Sequence, residues 1–431
     1  MTSPHATPTV DLSKLGSVDV WLDAPSICPA VRIGSLHRAT TRTGQAISFE
    51  YSPEWLEMAP LPGFALDEQL PLYPGRHIAA QGAAEVTPSL EDCSPDRWGR
   101  LLMERREAMR AAAEGRRPRA LRAWDFLLGV NDQGRMGALR FIDPESTRYL
   151  DDSSLSAPPV TELRTLEEYA NRLERGADSK GKDELKWMSQ LIVPGSSLGG
   201  ARPKASFIEP DGQPWMAKFP SSEDTYDVGL WEFITFRVAL DAGIQMPEAK
   251  LLKLSTRGHT FAVRRFDRNN AERIHYASAK SLLNAPGGDE ASYEDLAHVI
   301  STRGTSGSVD ADLQQLFRRA VFNVLVGNRD DHLRNHGFLR QGNGWRLSPA
   351  FDVNPNPHKD VHVLALAGDD PSPDTKLVER SRKSYGLSAS KAASVISEVR
   401  LAVADWEKVA RQAGAHRAEI MLMRAVINPA R

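Results

Sequence analysis

The stretch GNRDDHLRNHGFL, residues 327–339, places two aspartates, two histidines and two asparagines in one short, charged run. It overlaps the end of ADLQQLFRRAVFNVLVGN, residues 311–328, whose apolar residues follow the i, i+3, i+4, i+7 spacing of a helix with one buried face. That apolar stripe comprises Leu313, Leu316, Phe317, Ala320, Val321, Val324 and Leu325. The spacing predicts a buried helix, and Gly327 can supply the left-handed residue that ends it.

The residues after this run predict a hairpin that returns towards it. HGFLRQGNGWRLSP, residues 336–349, reads as two strands around a Gly-rich turn, and Asp352 follows the second strand. We therefore expect Asp352 to lie close to Asn335, which is five residues after Asp330. This layout suits phosphoryl transfer, with Asp330 accepting the hydroxyl proton and Asn335 and Asp352 holding Mg²⁺. Asp and Asn are also common turn residues, so the motif needs support from elsewhere in the chain.

That support lies upstream. GSSLGGARPK, residues 195–204, is rich in glycine and precedes a predicted strand, so its backbone N–H groups can approach a phosphate. It fits neither a Walker A loop nor a dinucleotide fingerprint. Lys218 lies inside the apolar strand PWMAKFP and needs an anionic partner, either a phosphate or a carboxylate such as Glu232 on the next helix. The order of Gly-rich loop, strand lysine, helix glutamate, Asp/Asn loop, hairpin and aspartate is that of protein kinases.

The two histidines of the opening stretch raise the question of zinc. His332 and His336 are four residues apart, as in a zinc-binding helix, but no Glu follows His332 and the segment does not read as helical. We expect His332 instead to organise the loop through a hydrogen bond to backbone or to Asp352. Asp331 is expected to be a secondary loop residue, because only Asp330 has an asparagine five positions later.

Composition excludes several classes of protein. The 431 residues are 41% hydrophobic and 26% charged with a net charge of −2, which is ordinary for a globular protein and argues against nucleic-acid binding by bulk charge. The basic cluster Arg380, Arg382 and Lys383 could contact nucleic-acid phosphates, but a solvated turn is the favoured interpretation. The two cysteines are too few for a disulfide framework, and neither a signal peptide nor a membrane span is evident, so we expect a cytoplasmic protein.

The chain is expected to be an α+β protein with three parts. Residues 1–150 read as a β-rich N-terminal subdomain, with strands at 18–22 and 47–52. It also contains a helix predicted over 95–115, with Ser94 as N-cap, Pro95 at the first helical position and Gly115 as the stop. Residues 151–269 read as a nucleotide-binding lobe of strands and helices, and 270–431 as a mostly helical lobe. The expected fold is therefore two-lobed and protein-kinase-like, with an extra N-terminal subdomain.

Several motifs resemble those of the HipA family of serine/threonine kinases, the toxins of bacterial type II toxin–antitoxin modules. The resemblance spans nearly the whole chain. It rests on GGARPKASF, AKFP, WEF, RRFDR, GNRDDHLRNHGFL and LSPAFDV, and on the N-terminal motifs DRWGRLLMERR and LLGVNDQGRMGALRF.

The resemblance implies roles for individual residues. Asp330 would be the catalytic base, and Asn335 and Asp352 would bind Mg²⁺. Ser197, with Ser196 next to it, would be autophosphorylated and thereby inactivate the kinase. The resemblance also implies which residues bind ATP. The phosphate loop would be Gly199, Gly200, Ala201, Arg202, Pro203 and Lys204, and Lys218 would contact the phosphates with Glu232 in support. The adenine hinge would be Arg264, Arg265 and Phe266, and the remaining ATP-binding residues would be His332, Asn335 and Asp352.

The resemblance also implies partners. These are a protein substrate, translation-related in some relatives, and a small helix-turn-helix antitoxin through which DNA is contacted indirectly. Two other functions use the same residues. A small-molecule phosphotransferase would need the same site, and a pseudokinase acting as a co-repressor would need no catalysis, although the retention of Lys218, Asp330, Asn335 and Asp352 argues against it.

Overall fold

A computed structural model describes residues 12, 14–41, 44–59, 63–78, 85–146, 148–150, 157–176, 184–191, 202–285 and 290–430. The predicted phosphate-loop residues Gly199, Gly200 and Ala201 and the predicted phosphorylation sites Ser196 and Ser197 lie outside the described residues.

An antiparallel sheet forms the N-terminal part. Its strands are β1 (Ser17–Leu22), β2 (Val31–Thr41), β3 (Gly44–Tyr51), β4 (Arg76–Ile78) and β5 (Leu139–Ile142), in the order β4-β3-β2-β1-β5. The helices of this part are α1 (Pro53–Glu57), α2 (Pro88–Glu91), α3 (Arg97–Ala113) and α4 (Ala123–Leu128). Alternate residues of β1 are buried, because successive side chains of a strand point to opposite faces, and they pack with Trp55 and Trp124.

The start of α3 differs from the prediction. The N-cap is Asp96 and not Ser94, and its carboxylate accepts a hydrogen bond of 2.8 Å from the backbone N–H of Gly99. Serine and aspartate both cap helices, but the carboxylate of Asp96 is also held by an ion pair with Lys204, which fixes it at the start of the helix. Gly115 follows the helix with a φ of +66°, in agreement with its predicted role as the stop.

A second antiparallel sheet carries the residues expected to bind nucleotide. Its strands are β6 (Lys204–Ile208), β7 (Pro214–Lys218), β8 (Ala249–Leu252) and β9 (Thr260–Arg264), in the order β6-β7-β9-β8. The helices of this part are α5 (Leu163–Glu174), α6 (Glu184–Leu191) and α7 (Val228–Asp241). Phe207 and Trp215 lie on the face that packs against α3, α5 and α6. Strand alternation therefore puts Lys204 and Lys218, which are cross-strand partners, on the opposite face.

The remainder is mostly helical. Its helices are α8 (Ala279–Leu282), α9 (Tyr293–Arg303), α10 (Val309–Val326), α11 (Thr375–Arg380), α12 (Ala389–Ala404), α13 (Trp406–Gln412) and α14 (Arg417–Arg424). Its strands are β10 (Arg268–Asn269), β11 (Glu272–Arg273), β12 (Tyr276–Ser278), β13 (Gly337–Gln341) and β14 (Gly344–Leu347). The predicted stripe of α10 is buried among the other helices, and Gly327 ends α10 with a φ of +69°.

The predicted α+β class is confirmed: the sheets are separate, and the N-terminal sheet, the second sheet and the helical part each pack around an apolar cluster of their own. Cys28 and Cys93 are buried free thiols. Among the described residues, the search for a helix both long and apolar enough to cross a membrane found none.

Candidate active site

The end of α10 presents the Asp/Asn loop. Gly327 turns the chain out of the helix, and the Asp330 side chain that follows is 58% exposed. Asn335 is buried, and its amide group donates a hydrogen bond of 3.3 Å to the backbone carbonyl of Asp330. The side-chain oxygen of Asn335 has no hydrogen-bond partner within the described part of the chain. One end of this amide therefore fixes the loop while the other remains available to a ligand.

The β13–β14 hairpin brings Asp352 back to the sheet of β6, β7, β8 and β9. Asp352 lies five residues beyond β14 and has a φ of +56°, an unfavourable conformation for a residue with a side chain. Its Oδ1 accepts a hydrogen bond of 2.8 Å from Nζ of Lys218 on β7. Strain of this kind persists where the surrounding contacts impose it, and here the result is a carboxylate aimed at the strand lysine.

Lys218 is bonded to two carboxylates at once. Its ammonium group donates to Oε1 of Glu232 on α7, at 2.5 Å, as well as to Asp352, so the ion pair with Glu232 predicted from the sequence is present. Burial alone would lower the pKa of Lys218, but Asp352 and Glu232 outweigh it and raise that pKa. Lys218 is therefore charged at any physiological pH.

The two carboxylates respond differently to the same lysine. Burial raises the pKa of Glu232 and the attraction to Lys218 only partly offsets it. Burial also acts on Asp352, but there Lys218, together with the nearby Lys204 and His332, holds the pKa below its ordinary value. The N–H of Asn356, four residues after Asp352, donates a hydrogen bond of 2.9 Å to the carbonyl of Gly327, which holds the segment after Asp352 against the Asp/Asn loop. An ionised Asp352 beside that loop is an electrostatic environment that favours a cation.

The chemistry of Asn335 and Asp352 fits magnesium. The unpartnered amide oxygen and the ionised carboxylate are both hard oxygen ligands, and Mg²⁺ is usually bound by one or two such protein groups together with substrate phosphates. Within the described ranges no group of three or more His, Cys, Asp or Glu side chains could hold a metal ion.

An apolar recess adjoins Lys218, Glu232 and Asp352. Its lining consists of Met216, Lys218, Glu232, Phe236, Met246, Pro247, Phe261, Val263, Ala350, Phe351, Asp352 and Val353. Phe266, in the predicted hinge, has its ring 5.4 Å from that of Phe351. Apolar walls with a few convergent polar groups are typical of small-molecule sites.

The predicted hinge residues are partly engaged already. The backbone N–H groups of Arg264 and Arg265 donate to the carbonyls of Glu248 and Pro214, at 2.8 and 3.0 Å. The Arg265 guanidinium is buried and binds Asp267. These two N–H groups are therefore already occupied, and any hydrogen bond from this segment to adenine would have to come from its other backbone groups. The predicted role of the hinge stays a prediction.

The described end of the predicted phosphate loop is held by ion pairs. Arg202 forms two hydrogen bonds with the carboxylate of Asp224, at 2.8 and 2.5 Å. The Pro203 carbonyl accepts a hydrogen bond of 2.8 Å from the N–H of Phe219. Lys204 is buried and binds Asp96, so its charge is directed to the N-terminal part. Phosphate contacts by these residues stay a prediction.

A buried polar network under the loop was missed by sequence reasoning. Asp331, expected to be secondary, is buried and accepts a hydrogen bond from the Tyr293 hydroxyl, while Nε2 of His336 lies 3.0 Å from the same carboxylate oxygen. Asn323 of α10 donates to the Tyr293 oxygen at 2.7 Å. Burial would raise the pKa of Asp331, but His336 and Tyr293 hold it below its ordinary value. No spacing in the sequence links these residues.

The expected hydrogen bond of His332 is not found at its Nδ1, which is buried without a partner among the described residues. The backbone carbonyl of His332 instead accepts a hydrogen bond of 2.8 Å from the N–H of Asn335. His336 is the histidine whose ring organises the loop.

Comparison with protein families gives one match to this part of the chain. Residues 196–406 match the model of the HipA-like C-terminal domain. The matched region includes Lys218, Glu232, Asp330, Asn335 and Asp352.

Curated relatives are similar over shorter stretches. "Putative kinase Y4dM" of Sinorhizobium fredii is 28% identical over 178 residues, which are 38% of this chain and 39% of the relative. "Putative kinase" of Haemophilus influenzae is 27% identical over 196 residues, or 40% of this chain and 56% of the relative. The similarity thus spans between two fifths and three fifths of the length of these relatives.

Among solved structures, the chain is similar to one from Shewanella oneidensis MR-1, described as the toxin–antitoxin system HipA, HipB and its operator DNA complex. The TM-score is 0.61 at 16% identity, and the match covers 95% of this chain and 94% of the other. At this identity the likeness shows the fold, from the N-terminal sheet to the last helices.

Proposed function

Residues 196–406 belong to the HipA-like C-terminal domain family, and from this premise we propose that the chain is an ATP-dependent serine/threonine protein kinase that acts in the cytoplasm. The observation that carries the proposal is the position of Lys218 between Glu232 and Asp352, together with the hydrogen bond from Asn356 to Gly327 that holds the segment after Asp352 against the Asp/Asn loop. A strand lysine held by a helix glutamate and a metal-binding aspartate is the arrangement that protein kinases require before transfer.

The proposed reaction moves the γ-phosphoryl group of ATP to a hydroxyl of a protein substrate. A bond forms between the hydroxyl oxygen and the γ-phosphorus while the bond from that phosphorus to the β–γ bridging oxygen breaks, and ADP leaves. Asp330 accepts the hydroxyl proton, for which its exposed carboxylate is suitably placed. Lys218 binds the nucleotide phosphates, and Glu232 keeps the lysine in position.

Asn335 and Asp352 would hold Mg²⁺, which supplies compensation for the negative charge of the phosphates. The apolar recess and the Phe266–Phe351 pair would exclude water from the base end of the nucleotide. The HipA-like family match and the kinases named among the relatives support this assignment.

Transfer of labelled γ-phosphate to a generic protein substrate tests the proposal. The full chain should transfer label, and Asp330→Asn should lose at least about a hundredfold in rate because the proton acceptor is gone. Asp369→Asn, in an exposed turn, is the matched control and should retain full activity. Equal activity of Asp330→Asn and the unchanged chain would refute the assignment of the base.

We further propose that Ser197, or Ser196 beside it, is autophosphorylated and that this switches the kinase off. A phosphoserine next to a phosphate-binding loop would repel nucleotide. Mass spectrometry after incubation with ATP should find phosphate on Ser197, and Ser197→Ala should prolong activity. Serines that stay unmodified after incubation with ATP, in an enzyme that has transferred phosphate, would contradict this.

The proposed partner is a small helix-turn-helix antitoxin, through which the chain would reach DNA indirectly. The support is the family match and the fold likeness to a chain of a HipA, HipB and operator DNA complex. A helix-turn-helix protein encoded beside this chain should co-purify with it, and operator binding should need both proteins. Tight DNA binding by this chain alone would argue against an indirect contact.

A further inference from the structure

Lys359 lies in the segment that follows Asp352, and its backbone is fixed beside the Asp/Asn loop. The N–H of Asn356 donates a hydrogen bond of 2.9 Å to the carbonyl of Gly327, at the end of α10. The guanidinium of Arg329 donates to the carbonyl of Lys359. Neither contact involves the side chain of Lys359 or of Asp330, so the position of Lys359 does not depend on an attraction between these two.

The side chain of Lys359 continues from this fixed backbone to the proposed base. Its ammonium group donates to Oδ1 of Asp330. The side chains are 40% and 58% exposed, and ion pairs that open to water stabilise a fold very little. Structural stability therefore does not account for the pair, and the ammonium can be transferred to another anion at small cost.

The other lysines of the site have different partners. Lys218 binds Glu232 and Asp352, and Lys204 binds Asp96. Lys359 thus adds a positive charge on the side of Asp330, where the acceptor hydroxyl would meet the γ-phosphoryl group. The phosphoryl group carries negative charge while it is transferred, and a nearby cation usually stabilises that charge in the transition state.

We propose that Lys359 is a phosphate-binding residue of the transfer site, which leaves Asp330 when nucleotide binds and contacts the γ-phosphoryl group. This inference rests on the proposed kinase function. In the transfer step Lys359 forms no covalent bond and gives up no proton. It balances the charge on the moving group, and its departure frees the Asp330 carboxylate to accept the hydroxyl proton.

Nucleotide binding separates this role from a purely structural one. Calorimetry on the full chain with Mg²⁺ present measures the affinity for a non-hydrolysable ATP analogue and for ADP. Lys359→Met should bind the analogue roughly tenfold more weakly than the unchanged chain, as expected for one lost charged contact, and should bind ADP with an affinity within about twofold of the unchanged chain. Lys359→Arg should restore most of the affinity for the analogue, and Lys376→Met, an exposed lysine of α11, should behave as the unchanged chain. Thermal unfolding of all variants should coincide.

The kinetics of phosphate transfer provide a second test. Lys359→Met should lower kcat for transfer at least tenfold, because the charged contact strengthens as the phosphoryl group moves. An equal loss of analogue and ADP affinity, or no loss of either, would overturn the inference even if the chain is a kinase. If the unchanged chain neither binds nucleotide nor transfers phosphate, the proposed function is overturned and this inference with it.

Discussion

Lys204 and Asp96 form a buried ion pair that joins the sheet of β6, β7, β8 and β9 to the N-terminal part of the chain. Lys204 is the first residue of β6, on the same face as Lys218, and Asp96 is the N-cap of α3. Burial raises the pKa of Asp96, although Lys204 opposes this. The pair is one of the contacts by which the N-terminal part fixes the strand that follows the proposed phosphate loop.

Asp96→Asn should lower the free energy of unfolding by about 3–5 kcal/mol, because it leaves the Lys204 ammonium buried without its carboxylate. Asparagine caps helices as well as aspartate does, so the loss reports on the ion pair and not on the cap. The double variant Asp96→Asn/Lys204→Met should recover part of the loss. Denaturant unfolding followed by tryptophan fluorescence measures all three, and a single variant as stable as the unchanged chain would contradict the expectation.

Tyr293→Phe should disturb the position of the Asp/Asn loop without changing nucleotide binding. The Tyr293 hydroxyl donates to Asp331 and accepts from Asn323, so its removal leaves two buried groups short of a partner and should cost about 1–3 kcal/mol of stability. If the network positions Asp330, kcat for phosphate transfer should fall while the KM for ATP stays within about twofold. Tyr73→Phe, at an exposed tyrosine, is the control. A rise in KM alone would place the effect in nucleotide binding.

Local patterns explain which parts of the fold could be predicted. The stripe of α10, its stop at Gly327 and the β13–β14 hairpin depend on neighbours in the sequence, and all three are present. The choice of Asp96 over Ser94 as the N-cap of α3 depends on Lys204, which is 108 residues away. Both residue types cap helices, so sequence alone could not decide between them.

In the candidate site, too, some residues could be predicted from the sequence, whereas contacts between distant residues could not. The order of chemical residue types along the chain indicated Lys218, Glu232 and Asp352, and the structure joins these three. The Tyr293–Asp331 contact spans 38 residues and the Lys359–Asp330 contact spans 29. Such pairs follow from the packing of α9 on α10 and from the path of the chain after Asp352, and neither leaves a periodic trace in the sequence.

Lys218→Met should lower kcat/KM for transfer by about 10²–10³, because an electrostatic contact to the phosphates disappears. It should also change how stability depends on pH. Without the lysine, the folded-state pKa of Glu232 rises further above that of the unfolded chain, and the pKa of Asp352 is no longer held below its ordinary value because burial then acts on it unopposed by Lys218. Stability should therefore fall as pH increases above the unfolded-chain pKa values of about 4. Thermal unfolding across this range tests it, with Lys376→Met as control. Parallel pH profiles of variant and unchanged chain would show that the carboxylates do not depend on Lys218.

Asp92 gives the chain a second, independent dependence on pH. It lies at the end of α2, and its carboxylate accepts hydrogen bonds of 2.7 Å from the N–H of Ser278 and the hydroxyl of Ser281, which ties the N-terminal part to α8. Burial raises the pKa of Asp92 from 3.8 to about 6. The folded chain therefore binds more protons than the unfolded chain between these values, and stability is lost as pH rises through about 6.

The shift corresponds to a penalty on the order of 3 kcal/mol above pH 6, and Asp92→Asn should remove it, because the amide resembles the protonated carboxyl. The melting temperature of Asp92→Asn relative to the unchanged chain should therefore rise between pH 4 and 7 and then level off. Asp369→Asn, which alters an exposed carboxylate, should show no such trend. A constant difference between Asp92→Asn and the unchanged chain at every pH would mean that Asp92 titrates alike in the folded and unfolded chain. The α2–α8 contact would then be insensitive to its charge.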